Sequence, residues 1–391
     1  MPDASTARFR LVPMRGRDPR EGERSASTLE LFFDLVFVIA VGIASTQLHQ
    51  QLDEGRVLNG LANYAVVFFG IWWAWMNFTW FATSFDTDDW LYRVLTIIQM
   101  GGVLVLAAGI PQAFHAHDYT ILILAYVLMR FALVTQWLRA WYAVGRGNPA
   151  PLIYAVGVGI VQLAWLATLL LPPVFFPFAL VVLIIAELAV PVSAETVGRT
   201  AWNPRHITER YGLFTLIVLG ESLMASANAI IEAVHQSDTI APLVGLAAFT
   251  LVVTAALWWI YFWPPHHSVI DGLPRSLVYG YGHYIIFASA GAFSAGIESA
   301  IYALTGHPHL GNTALGLAYT APVALFILGT WSVAIRPNAD RLVNVVVPLG
   351  ALLIFAGSFV SPSIIVTIVI LVSMVGVLVW RQPTTVHTRS A

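Results

Sequence analysis

Leu31-Phe32-Phe33-Asp34-Leu35-Val36-Phe37-Val38-Ile39-Ala40-Val41-Gly42-Ile43-Ala44 is an apolar run broken by a single aspartate. With its flanks it covers residues 30–50, the length of about 20 residues that a helix needs to cross the hydrocarbon core of a bilayer. Similar runs recur at 58–82, 91–111, 119–143, 150–171, 174–194, 209–232, 240–263, 277–303, 313–335, 341–359 and 362–380. Two apolar stretches are twice the length of one crossing, and Pro172-Pro173 and Ser361-Pro362 divide them into hairpins. The fold expected is an all-α polytopic transmembrane helix bundle of about twelve spans.

Composition points the same way. Of 391 residues, 58% are hydrophobic and 10% charged, against roughly 25% charged in a soluble domain. The mean hydropathy is +0.76. Such a chain in water would expose large apolar patches and aggregate. There is no cysteine, which excludes disulfides and thiolate chemistry. All nineteen basic residues are arginine, so a lysine Schiff base is excluded. No basic tract is sized for a nucleic acid, and no glycine-rich phosphate loop or ATPase domain is visible.

The arginines orient the chain, because loops on the cytoplasmic side hold the positive excess. Residues 1–27 form an Arg-rich tail, expected to lie at anionic headgroups, and no signal peptide precedes the first span. With both termini in the cytoplasm, seventeen of the nineteen arginines fall inside. Arg56 falls outside and Arg130 within a span. The expected localisation is the bacterial inner membrane.

An internal repeat is also expected. Trp72-Trp73 recurs as Trp258-Trp259, Gly109-Ile110 as Gly296-Ile297, and Leu124-Ala125-Tyr126 as Leu317-Ala318-Tyr319. Two parallel six-helix halves, 28–198 and 199–381, would follow, with a second tail at 382–391. One register, offset 187, sets Asp34 on Glu221. A rival, offset 179, sets Glu30 on Glu209. The two remain open.

Ionisable groups at membrane depth cost at least about 2.5–3.5 kcal/mol each, so they face the bundle interior and often serve a function. At 100° per residue, Asp34, Ser45 and His49 share a face of the first span. Glu221, Asn228 and Glu232 share one in the seventh, and His283, Ser294 and Glu298 one in the ninth. Glu187 lies in the sixth span and Arg130 in the fourth, where it is expected to neutralise a carboxylate. Glu30 and Glu209 lie at helix ends. For each of these the alternative is structural: interhelical hydrogen bonding or, for Asp34, a salt bridge with an arginine of the 199–210 loop. Trp72, Trp73, Trp75 and Trp80 are read chiefly as interfacial belts and packing, with an aromatic cavity for a cation or isoprenoid as the sharper alternative. His266-His267 and His307-Pro308-His309 have no carboxylate at metal-binding spacing, so neither a metal nor a cofactor is expected.

Three segments resemble a known family. Leu29 to Val38, His206-Ile207-Thr208-Glu209-Arg210 continuing to Gly220-Glu221-Ser222, and Tyr279-Gly280-Tyr281-Gly282-His283 are similar to the signatures of the bacterial low temperature requirement A family. The resemblance covers nearly all of the chain after residue 27. It implies a multi-pass membrane protein tied to growth in the cold. Its motif residues fall on Glu30, Phe33, Asp34, His206, Glu209, Gly220, Glu221 and His283. The leading expectation is a secondary transporter or ion-conducting protein acting on a small solute, ion or lipid, with Asp34 and Glu221 in its pathway. The alternatives are a membrane enzyme using an intramembrane carboxylic acid on a lipid or isoprenoid, and a structural protein for cold adaptation.

Overall fold

The computed structural model describes residues 11–14, 16–18, 25–236, 240–305, 310–360 and 362–384. Among them are twelve α-helices and no strand: α1 (Thr28–Asp53), α2 (Val57–Phe85), α3 (Trp90–Ala116), α4 (Thr120–Val144), α5 (Ala150–Thr168), α6 (Phe176–Val197), α7 (Pro204–Gln236), α8 (Ile240–Phe262), α9 (Leu273–Leu304), α10 (Asn312–Thr330), α11 (Arg341–Gly357) and α12 (Ser363–Trp380). Each expected span is one helix. Ten are long and apolar enough to cross a membrane. The two helices outside these ten are α11, with 17 residues, and α7.

The helix ends follow local chemistry. Ser27 and Glu30 form a reciprocal cap at the start of α1: Ser27 N donates to Glu30 Oε2 at 2.7 Å, and Glu30 N donates to Ser27 Oγ at 3.3 Å. Asp89 caps α3 by accepting from Tyr92 N at 3.0 Å, and Asp340 caps α11 by accepting from Val343 N at 2.9 Å. Both proline hairpins form. Proline has no N–H and restricts the residue before it, so α5 stops at Thr168 and α12 starts after Pro362.

The helices group into two compact units, residues 1–40 with 70–210, and residues 41–69 with 211–391. In the first, α3 packs on α4, α4 on α5 and α5 on α6. In the second, α9 packs on α10, α10 on α11, α11 on α12 and α12 on α8. Large apolar side chains face outward in both, among them Phe131, Leu163 and Phe178 in the first and Leu251, Leu352 and Val379 in the second. This is the pattern of a protein solvated by hydrocarbon.

The described part of the amino-terminal tail packs on protein. Met14 is buried, Arg17 N donates to the Ser84 carbonyl at 3.0 Å, and Val12 N donates to Asp89 Oδ2 at 3.1 Å. Arg139 pairs with the same aspartate. The other tail arginines lie outside the described residues.

Without a hydrophobic force between helices, close packing of small residues drives association in lipid. Gly296 of α9 lies against the Ala318 carbonyl of α10, where an added methyl group would overlap backbone. Gly296→Ala is expected to lower the stability of the detergent-solubilised protein by about 1–3 kcal/mol. Gly376→Ala, with open space around it, should change it little. Equal thermal unfolding of the two variants would contradict the close crossing.

Candidate functional site

Four clusters, two in each unit, take up most of the polar residues that the sequence singles out. The first joins the starts of α1 and α7. Glu30 and Asp34 are one turn apart on α1, and His206 and Arg210 one turn apart on α7. Arg210 Nη2 donates to Asp34 Oδ1 at 2.5 Å and Nε to Oδ2 at 3.2 Å. Arg210 Nη1 lies 3.0 Å from Glu30 Oε1, and His206 Nε2 3.3 Å from the same oxygen. Trp75 Nε1 donates to Asp34 Oδ1 at 2.7 Å. All four ionisable groups are buried. Asp34 is thus held by a two-pronged guanidinium and an indole, which fixes it as a carboxylate partner of Arg210. Glu209, half-buried, accepts from Ala26 N at 3.2 Å and ties the tail to α7.

The second cluster surrounds Glu187. Trp73 Nε1 and Gln162 Nε2 each donate to it at 2.8 Å, and Trp165 Nε1 at 3.3 Å. Among the described residues no carboxylate lies within ion-pair distance of Arg130. The direct neutralisation expected for it is therefore replaced by a relay. Arg130 donates through Nη2 to the Tyr126 hydroxyl, its guanidinium lies 4.5 Å from that ring's centroid, and Tyr126 interacts with Glu187. The belt reading of Trp72, Trp73 and Trp75 is also corrected. All three are fully buried, and two of their N–H groups satisfy carboxylates that hydrocarbon would leave bare.

The third cluster lies in the second unit along one face of α1, at Gly42, Thr46, His49 and Asp53. Glu221 fills the space at Gly42, where a side chain would overlap its carboxylate. Thr46 Oγ1 lies 3.5 Å from Glu298 Oε1. His49 Nδ1 is 3.0 Å from Ser299 Oγ and 3.2 Å from Asp53 Oδ2. The row ends in a recess of about 500 Å³ lined by His49, Gln50, Asp53, Glu54 and Tyr302. Among the described residues no arginine or histidine pairs with Glu221 or Glu298. Ser294, one turn before Glu298 on α9, is buried with its hydroxyl unpartnered. Asn228 is exposed, and the side chain of Glu232 lies outside the described residues.

The fourth cluster is a closed ring of hydrogen bonds. A carbonyl only accepts, so His283 Nδ1 donates to the Tyr279 carbonyl at 2.7 Å, and Nε2 accepts from the Tyr261 hydroxyl at 2.9 Å. His266 Nε2 donates to the Tyr261 carbonyl at 2.6 Å, and Nδ1 accepts from the Tyr279 hydroxyl at 3.0 Å. Both imidazoles are neutral, in opposite tautomers. His283 thus belongs to this ring, while Glu298, fifteen residues on, belongs to the α1 face. His266 becomes a ring member. His307-Pro308-His309 lies outside the described residues. Among the described residues no three His, Asp or Glu side chains converge as metal ligands.

Several of these partners escape a motif reading, among them Tyr261, Gln162 and Asp53. Arg210 carries a usable signal, since His206 and Arg210 repeat the one-turn spacing of Glu30 and Asp34 with opposite charge.

Two comparisons bear on this arrangement. The sequence model of the family described as bacterial low temperature requirement A protein matches residues 25–379. An uncharacterized protein of Rhizobium meliloti is 29% identical over 336 residues, which covers 80% of this chain and 78% of that protein.

Removing one member of a buried ion pair strands the other, at about 3–5 kcal/mol. Arg210→Gln is expected to lose that much stability. The double variant Asp34→Asn with Arg210→Gln should lose clearly less than the sum of the singles. Additive losses in denaturant titrations would remove the pairing.

In the loop after α8, burial holds His266 down at about 4, against about 6.5 in an unfolded chain. Between these values the unfolded state binds the extra proton. The neutral ring's stability is therefore complete above pH 6.5 and lost as pH falls through 4. His266→Gln should flatten that acid limb of the unfolding midpoint, and an unchanged limb would clear His266 of it.

Proposed function

This chain belongs to the bacterial low temperature requirement A family, and from that premise we propose that it is a secondary transporter or ion-conducting protein of the inner membrane, with both termini cytoplasmic. Its coupling groups are Glu221 and Glu298. The observation that carries the reading is that Glu221 lies against Gly42 and Glu298 beside Thr46, one turn apart on the same face of α1, with no cation paired to either among the described residues. Two neighbouring carboxylates in a weakly solvated place cannot both ionise at low cost, so the pair takes up one proton or one monovalent cation between them. Thr46, His49 and Asp53 continue from the pair to the recess at the end of α1, a row along which a proton can be handed on. The groups are strung along a helix face rather than gathered around a point, which favours a proton over a divalent metal.

Asp34 has a different part in this reading. Arg210 and Trp75 occupy its oxygens, so it positions α1 against α7. The repeat is read as two related halves. Its support is that Gly109 and Gly296, which recur in the sequence, are both sites where the next helix leaves no room for a side chain.

In proteoliposomes carrying an internal pH dye, an imposed membrane potential is expected to drive proton entry about ten-fold faster than in protein-free vesicles, the ratio given by a 1.4 kcal/mol difference in barrier. Glu221→Gln and Glu298→Gln should each bring the rate down to background. Wild-type rates in both variants, in protein of normal stability, would overturn the assignment.

A further inference from the structure

The second unit carries a recess unlike the acidic one. It has a volume of about 560 Å³ and lies among α1, α2, α9 and α10, with Phe355 of α11 at its edge. Its walls include Leu48, Leu61, Ile285, Leu317 and Leu325. Among the lining residues only Tyr64, Tyr284 and Ser289 bear polar side-chain atoms. Both tyrosine hydroxyls are spent within the protein. Tyr64 donates to the Ala288 carbonyl at 2.9 Å and Tyr284 to the Ala65 carbonyl at 2.8 Å. Ser289 is buried. Among the described lining residues none is charged.

The rim settles what lies outside. Leu61, Ile285, Leu325 and Phe355 are all more than a third exposed, and α1, α2, α9 and α10 are helices of membrane-crossing length and polarity. The recess is therefore continuous with a surface that faces hydrocarbon. Size separates two apolar occupants. A helix is about 10–12 Å across and a spanning one about 30 Å long, so a hollow of this volume takes roughly one helical turn and cannot seat a partner helix along its length. One acyl chain, thin and flexible, fits.

We propose that this recess is a binding site for a single acyl chain of a bilayer phospholipid, held by dispersion and shape along α1, α2, α9 and α10. The chain lies against Leu48 and Leu52 of α1, whose neighbouring face carries His49 and Asp53. The site does not depend on the transport reading, since it rests on the lining and the rim alone.

The test uses the full-length protein in nanodiscs of phosphatidylcholine doped with phosphatidylcholine bearing a photoactivatable diazirine in one acyl chain. After irradiation, peptides are mapped by mass spectrometry. Labelling of the recess walls is expected to exceed that of exposed apolar positions elsewhere, such as Leu163 and Phe178, by about ten-fold. Ala65→Trp and Ala314→Trp, on different helices at the recess, should each fill it and remove the excess while Leu163 and Phe178 label as before. Equal labelling of recess and reference positions overturns the site. So does an excess that survives both variants in folded protein, and so do chain-to-chain crosslinks through the recess, which would make a second copy its occupant.

Discussion

Hydrocarbon accepts no hydrogen bond and solvates no charge, and the Arg210 guanidinium between Glu30 and Asp34 is where that constraint acts most strongly. Each of the three is buried, and each would be prohibitive alone. Arg210 pairs with both carboxylates, Trp75 donates to Asp34 and His206 lies beside Glu30, and these contacts lock the first turns of α1 to the first turns of α7. The reciprocal cap of Ser27 and Glu30 belongs to the same economy. Glu30 serves the helix start through one oxygen and Arg210 through the other.

The same demand explains the tryptophans of α2. An indole offers a large apolar body with one donor, so Trp73 and Trp75 pack into the first unit and still supply N–H groups to Glu187 and Asp34. The second unit meets the demand in two ways. Around His283 and His266 it is met completely: two imidazoles, two phenols and two carbonyls close a ring. Along the Gly42 face of α1 it is met only in part. Glu221 lies against Gly42 and Glu298 beside Thr46, and among the described residues Ser294 has no partner for its hydroxyl. A fully satisfied network stabilises a fold, whereas the α1 face is where the proposed transport reading places the mobile charge.

Much of this architecture was legible along the chain. All twelve expected spans are helices, with the proline hairpins where they were placed, because spanning length, cap chemistry and proline geometry are properties of consecutive residues. The salt bridge expected of Asp34 with an arginine of the 199–210 segment is Arg210. Less was legible about the individual side chains. Asp34 and His49 share a stripe of α1, yet one ends in an ion pair and the other beside Ser299. His283 and Glu298 share a face of α9 and join different clusters. Arg130 reaches Glu187 through Tyr126 and not directly.

What the sequence by itself determined is that this chain lives in a bilayer, roughly which segments are its helices, and which ionisable groups must be hidden. Hydrocarbon tests each segment one at a time for length and polarity, so the answer is local. Which hidden group meets which was decided only by tertiary structure. Partner choice depends on how each helix is turned about its own axis, and packing against neighbours distant in sequence, such as that of Gly296 on Ala318, sets that rotation. One such setting closed Asp34 onto Arg210, and another set Glu221 and Glu298 along one face of α1.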